Sequence, residues 1–240
     1  MPTELPRVLV EMSYESAARD YLRRLPLEHF MEATPQATQR EITLESLALV
    51  KTQRPDVQVF NELLVQYPLP RRKRPGQVVP DNMVVVHPEP IKVEGSYNLP
   101  LQPVGPFWVL EYVSKNSERK DYTENMNKYE HDLKVSYYLM FMPESQDLTL
   151  YHHNGEKYVS VPPNGQGRYE IPELELEMGL HGGWMRYWFR DALLPLPAEM
   201  QEELQKERRE RENERQARLA AEQEIARLRS ELDQLKRAGP

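Results

Sequence analysis

The chain has 240 residues, no cysteine, a net charge of −7 and a pI near 5.5, which gives room for one good-sized domain and an appendage. Lack of cysteine excludes disulfides, thiolate catalysis and cysteine-held zinc, and it fits a reducing cytoplasm. No apolar run nears the ~20 residues that span a bilayer, the first residues lack the pattern of a secretory signal, and the acidic balance argues against non-specific nucleic-acid binding without excluding a local basic groove.

Residues 1–37 read as a helical extension, in which Tyr14, Ala17, Ala18, Tyr21, Leu22 and Leu25 form a helix-like stripe. A second helix is expected over Ile42–Val50, with Thr38 and Glu41 in capping-box positions before it. Val57–Tyr67 alternates partially and predicts one strand, or two with a bend. The loop from Pro68 to Gly76 carries Arg71, Arg72, Lys73 and Arg74. That run either grips a DNA backbone or is a solvated turn. Val78–His87 and Phe107–Ser114 predict strands, joined by a long proline-rich loop over Pro88–Pro106. Loops of that length are more often functional or inserted than neutral.

Arg119–Lys134 lacks glycine and proline and predicts a helix, and Val135–Met142 a strand. Leu148–Val159 predicts a β-hairpin with Asn154-Gly155 as a two-residue type I′ turn. His152 and His153 are adjacent strand residues that point to opposite faces, so they do not chelate together. Trp184, Tyr187, Trp188 and Phe189 have near-helical spacing and read as packing. Strands, a crossover helix and a further strand make an α/β core, placed over residues 38–195.

The composition changes at Pro195-Leu196-Pro197, and residues 198–238 predict one long charged helix. Glu199–Arg237 holds 11 acids and 10 bases, so the acidity belongs to the globular part. Ala221, Ile225, Leu228, Leu232 and Leu235 make a short heptad seam, but the same frame puts Arg218, Glu214, Arg211 and Glu207 at core positions further back. Two heptads that pair with a partner helix, and a lone helix held by i,i+4 ion pairs, both fit this pattern. A homodimer is expected, with this helix as an accessory.

The chemistry lies at strand ends. Asp81 precedes the run Met83–Val86, Glu111 follows Phe107–Leu110, and Lys128 sits on the predicted crossover helix. Converging carboxylates repel unless a hard cation lies between them, and a buried acid such as Glu111 needs a partner. This suits Mg²⁺- or Mn²⁺-assisted phosphodiester cleavage, with lysine stabilising charge on the phosphoryl group. No Walker-type loop, HExxH or GxSxG is present.

Pro80-Asp81, Glu111-Tyr112-Val113-Ser114, Asp121 with Lys128-Tyr129, and Ser136-Tyr137-Tyr138-Leu139 occur in that order. From about Gln39 to Tyr158, this resembles the Uma-two family of restriction endonuclease-like proteins, within the PD-(D/E)XK nuclease superfamily. The resemblance implies a restriction-endonuclease-like mixed sheet flanked by helices, a divalent metal and DNA as substrate. Asp81 and Glu111 match the two metal-binding acids. Val113 stands where the superfamily usually has its lysine, and its backbone carbonyl remains a possible ligand. Lys128 matches the lysine that the family carries on the following helix, with Lys115 as a nearby competitor. Arg119 and Lys120 are further candidates for DNA contact. The family's N-terminal helix often has a His near the site, where this chain has Gln39 and Arg40. Pro55-Asp56 is a decoy, because it precedes the first core strand. The alternative function is a catalytically silent scaffold that keeps the nuclease fold and uses its C-terminal helix for assembly.

Overall fold

The strongest apolar runs form the middle of a six-stranded sheet. In a computed structural model, residues 6–25, 34–70, 72–113 and 120–237 are described, without the side chains of 120–122, 233 and 235–237. Along the chain, β1 (Val57–Asn61), β2 (Val65–Tyr67), β3 (Gly76–Val78), β4 (Asn82–Val86) and β5 (Tyr97–Asn98) come first. They are followed by β6 (Trp108–Tyr112), β7 (Tyr137–Met142), β8 (Asp147–His153) and β9 (Tyr158–Val161). The main sheet has the order β1-β4-β6-β7-β8-β9. Every pair in it is antiparallel except β6–β7, which is parallel. A parallel pair needs a crossover, and parallel strands are buried on both faces. All of β6 is buried, as is β7 apart from its last residue. The result is a mixed α/β core.

The crossover is helical, with wide π-type turns over Lys120–Asn125 and Lys128–Leu133. Lys134 ends it in the left-handed conformation. Its Tyr129 joins Met83, Val85, Val109, Tyr138 and Met140 in one core cluster. Alternate strand residues share a face, so Glu111 lies on the same side of β6 as Val109, towards Tyr129.

Val57–Tyr67 breaks into β1 and β2 at Glu62, whose φ is 48°. Beyond that bend β2 leaves the main sheet and pairs with β3 and β5 in a small three-stranded sheet. Gly76 is required there: a Cβ would meet the Tyr67 ring at 2.2 Å. The loop Pro88–Pro106 is not structureless, since it supplies β5. The hairpin β8–β9 closes through residues 154–157, not through a two-residue turn. The Asn154 side-chain oxygen accepts the amides of Glu156 and Lys157, both at 3.0 Å, and so holds the longer loop.

A second sheet contains β10 (Tyr169–Ile171), β11 (Leu176–His181), β12 (Trp184–Phe189) and β13 (Ala192–Leu193). The aromatics with near-helical spacing are therefore on a strand. They do pack, because β12 is covered on both faces from Met185 onward, which removes the period-two signal.

Helix α1 spans Arg7–Leu22, and α2 spans Thr34–Gln53. Because α2 starts at Thr34, Thr38 lies inside it and does not cap it. Its apolar residues Ile42, Leu47 and Val50 are buried together with the polar Gln39, Thr43 and Ser46. The Gln39 amide donates to the Met185 carbonyl at 2.9 Å and accepts the Met185 N–H at 3.0 Å. This side chain takes the place of a strand neighbour along β12. Thr43 adds a 2.8 Å bond to the Tyr187 hydroxyl.

Pro195–Pro240 forms a separate compact unit built on α3 (Pro197–Arg237). Leu196 donates its amide to Glu199 at 2.8 Å, which fixes the helix start. Ion pairs such as Arg211–Glu207 and Arg218–Glu222 run along it. Ile225, Leu228 and Leu232 are about half exposed, at 50%, 51% and 52%; the Leu235 side chain lies outside the described residues. No described helix is long and apolar enough to cross a membrane.

Truncating Gln39 leaves two buried backbone groups without partners, each costing about 1–3 kcal/mol. Gln39→Ala is therefore expected to lower stability by about 2–4 kcal/mol in urea denaturation. A loss under about 0.5 kcal/mol, the range of a surface change, would contradict the clamp.

Candidate active site

The register of β4 and β6 places Asn82 opposite Leu110, so one step outward brings Asp81 beside Glu111. Two bonds close this end of the ladder. The Asp81 amide donates to Glu111 Oε2 at 3.3 Å, and the Tyr112 amide donates to Asp81 Oδ2 at 2.7 Å. Each acid thus accepts from the strand that carries the other.

Glu111 is 4% exposed, and a carboxylate in that position needs donors. Tyr129 donates to Glu111 Oε1 at 2.7 Å, and the Asn125 amide donates to the same oxygen at 3.3 Å. Asn125 and Tyr129 are four residues apart, so both face β6. Burial, followed by the Glu111 charge, pushes the Tyr129 phenol well above its usual range, so it remains a neutral donor. Its ring also packs on Tyr138, with centroids 5.0 Å apart. Tyr129 combines packing with support of the acid.

Asp81 is engaged from α2. Arg40 Nη2 lies 3.3 Å from Asp81 Oδ1, and Nη1 lies 2.5 Å from Glu62 Oε1. The Glu62 amide in turn donates to the Asp81 carbonyl at 3.1 Å. Charge-assisted bonds are usually ~2.7–2.9 Å, so Arg40 is anchored mainly on Glu62 and touches Asp81 more loosely. Its guanidinium lies 6.0 Å from the Tyr112 ring centroid. The Tyr112 hydroxyl donates to Asn82 at 2.7 Å, and Gln36 donates to the Tyr112 carbonyl at 3.1 Å. Gln36, Gln39, Arg40 and Thr43 form one polar stripe on α2, at spacings i, i+3, i+4 and i+7.

Of the residues singled out in the sequence, Asp81 and Glu111 come together. Val113 is buried two residues past Glu111 and donates its amide to the Phe141 carbonyl at 2.8 Å. Lys128 is half-buried on the crossover, next to Tyr129. Arg71, Lys115 and Arg119 lie outside the described residues, as do the side chains of Lys120 and Asp121. Arg72, Lys73 and Arg74 belong to the β2–β3 connection. Among the other candidates, Asp56 pairs with Arg54 at 2.8 Å. His152 stacks on Tyr137 with centroids 4.7 Å apart, while His153 bonds to the Glu130 carbonyl at 3.0 Å. Sequence reasoning missed Arg40, Glu62, Asn125 and the polar role of Tyr129. The i,i+4 pair Asn125/Tyr129 was the available signal, since both stand on the face opposite a buried acid.

Two neighbouring carboxylates are the kind of oxygen donors that hard divalent cations take. Among the described residues no group of three acids or histidines is arranged to hold a metal.

A family profile matches residues 29–186, more than half of the chain. That family is Uma2, described as "Putative restriction endonuclease", and the chain belongs to it. A solved structure described as a "putative nuclease belonging to DUF820" from Anabaena variabilis is 16% identical, with a TM-score of 0.44 over 60% of this chain and 75% of that one. No curated protein matches the chain.

Tyr129→Phe removes a donor from a buried carboxylate, and hydrogen bonds to charged groups contribute about 1.5–3 kcal/mol. A stability loss of that size is expected by urea denaturation at neutral pH. The loss should vanish when Glu111→Gln is combined with it in a double-mutant cycle corrected for the single changes. Full additivity of the two substitutions would show that the bond contributes nothing.

Proposed function

We propose that this protein is a divalent-metal-dependent endonuclease that hydrolyses DNA phosphodiester bonds. The reading rests chiefly on the contact between Asp81 and Glu111 at neighbouring strand ends, where Glu111 accepts the Asp81 amide and Asp81 accepts the Tyr112 amide. Membership of the Uma2 family supports nuclease chemistry. Asp81 and Glu111, with the backbone carbonyl of Val113, are the proposed ligands for Mg²⁺ or Mn²⁺. When bound, such an ion supplies polarisation of a phosphoryl oxygen and a lower pKa for a coordinated water.

The other roles belong to the chain's own groups. Tyr129 and Asn125 hold the Glu111 carboxylate in one orientation, which preserves the geometry that the reaction requires. Arg40 offsets the charge of Asp81 and Glu62 and limits repulsion at the site. Lys128 is proposed to stabilise negative charge on the phosphoryl oxygens, as a positioned ammonium does in phosphoryl transfer. We further propose a cytoplasmic homodimer with α3 as an accessory contact, since the half-exposed Ile225, Leu228 and Leu232 make a narrow seam.

A second reading, a catalytically silent scaffold, is favoured by one observation: Arg40, Tyr129 and Asn125 already partner the acids. Plasmid nicking with Mg²⁺ or Mn²⁺ separates the two. Cleavage by the wild-type protein is expected, with a fall of at least about 100-fold in Asp81→Asn and in Glu111→Gln, as for loss of a group that stabilises transition-state charge. Both variants should remain folded by circular dichroism. Equal cleavage by the wild-type protein and both variants would point to a contaminating nuclease and contradict the assignment. Absence of cleavage with either ion would favour the scaffold.

A further inference from the structure

A concavity lined by none of the proposed metal ligands lies between α1 and the β2–β3 connection. It has a volume of about 260 Å³, and its walls include Ser13, Ser16, Asp20, Arg24, Lys73 and Arg74. Three of these are basic and one is acidic, in a chain whose net charge is −7. The helix contributes one face, because Ser13, Ser16, Ala17, Asp20 and Arg24 follow the 3.6-residue period. The residues nearest the first turns of that face are small, which leaves the space open. The facing connection contributes the cations, and Gln77 closes the wall.

The way α1 is attached sets it apart from the other described helix of this unit. None of its residues is fully buried, though Val10, Tyr14, Ala17, Ala18 and Tyr21 are half-buried, so apolar packing holds it less firmly than it holds α2. Buried Gln66 donates to the Tyr14 carbonyl at 2.9 Å, and Gln77 donates to the Ala17 carbonyl at 3.0 Å. Gln77 also donates to Gln66 Oε1 at 2.8 Å, while Gln66 reaches Ser96 Oγ and Asn98 Oδ1 at 3.2 and 2.9 Å. A polar network inside the small sheet therefore fixes the helix at the cleft. Bonds of this type contribute about 0.5–1.5 kcal/mol each, enough to position a wall but little compared with a core helix.

The cleft is close to the acids along the chain. β3 runs from the cleft into Val79-Pro80-Asp81, and four residues from Gln77 to Asp81 span at most about 14 Å. One strand of a DNA duplex has a phosphate about every 3.4 Å of helix axis. A backbone passing Asp81 and Glu111 thus reaches the cleft within about four nucleotide steps.

We infer that the cleft between α1 and the β2–β3 connection is a phosphate-binding site for double-stranded DNA, flanking the acid pair. Lys73, Arg74 and Arg24 supply the charge, and Ser13 and Ser16 supply hydroxyl donors to phosphate oxygens. Asp20 offers its carbonyl to Arg24 Nε at 2.8 Å, which steadies that side chain at the rim. The inference rests on the nuclease reading for its ligand, but on different residues. Because phosphate contacts carry no base information, this site sets position and affinity and leaves sequence choice to other groups.

The test is fluorescence anisotropy with a labelled 20-base-pair duplex, with Ca²⁺ as a non-catalytic ion, over a salt series. Three full-length proteins are compared: wild type, Lys73→Gln/Arg74→Gln, and Ala17→Leu, which fills the cleft without changing charge. The double variant should lose about tenfold or more in affinity at low salt, with the log–log salt slope smaller by about two. Ala17→Leu should lose affinity with a smaller change in slope. Mn²⁺ binding, measured by calorimetry, should be unchanged in both, and thermal melts confirm folding. Unaltered duplex affinity in both variants, with the wild type binding normally, overturns the cleft and leaves the acid-pair reading intact. A wild type that binds no duplex at low salt overturns both. Loss in the double variant alone would mean that surface charge acts without the cleft, and that also overturns this assignment.

Discussion

The burial of the Glu111 carboxylate at the end of a core strand constrains much of this molecule. An unpartnered charge there would cost several kcal/mol. Its donors come from two other segments: Tyr129 and Asn125 on the crossover, and the Asp81 amide just before β4. Satisfying one acid therefore fixes the crossover against β6 and the Asp81 bend against Glu111. Asp81 then takes the Tyr112 amide and brings in Arg40 from α2. A site held in this way is firmest on the Glu111 side, where the bonds from Tyr129 and Asn125 are buried. It is looser on the Asp81 side, where Arg40 divides itself between two acids.

The site and the cleft use charge in opposite ways. The acids concentrate negative charge where buried Glu111 meets half-buried Asp81, and a divalent cation or Arg40 offsets it. The cleft concentrates positive charge on an open surface, where salt screens it strongly. An acidic protein that acts on DNA needs this separation. Its overall charge opposes approach to phosphates, so attraction must come from a local patch close to the acids. The short path from Gln77 to Asp81 through β3 joins the two in sequence.

The sequence made parts of this structure legible and left others hidden, for physical reasons. β4, β6 and β7 were readable because buried strands are continuous apolar runs, and Asp81 and Glu111 stood out as acids at the ends of those runs. The two-strand option for Val57–Tyr67 anticipated the bend at Glu62, but not that β2 leaves the main sheet. The polar stripe Gln36/Gln39/Arg40/Thr43 was hidden because periodicity is sought in apolar residues, whereas these four are fixed by partners far along the chain. Gln39 bonds to Met185, 146 positions away, and no local pattern records that. The polar role of Tyr129 was hidden because an aromatic ring suffices to explain a core position, and only the proximity of its hydroxyl to Glu111 shows the second role. The aromatics of β12 misled through spacing, since a strand buried on both faces has no alternation to read. Asn154-Gly155 suggested the shortest hairpin turn, but the Asn154 side chain can cap a longer loop equally well.

Asp81 and Glu111 together are proposed to hold a divalent cation despite the nearby arginine. The most direct measurement is a Mn²⁺-soaked crystal of the full-length protein, with anomalous difference maps. A peak is expected at about 2.0–2.6 Å from oxygens of both carboxylates, the usual range for hard divalent ions, with Arg40 turned towards Glu62. A map with no peak between the acids at millimolar Mn²⁺, and Arg40 still bonded to Asp81, would contradict it.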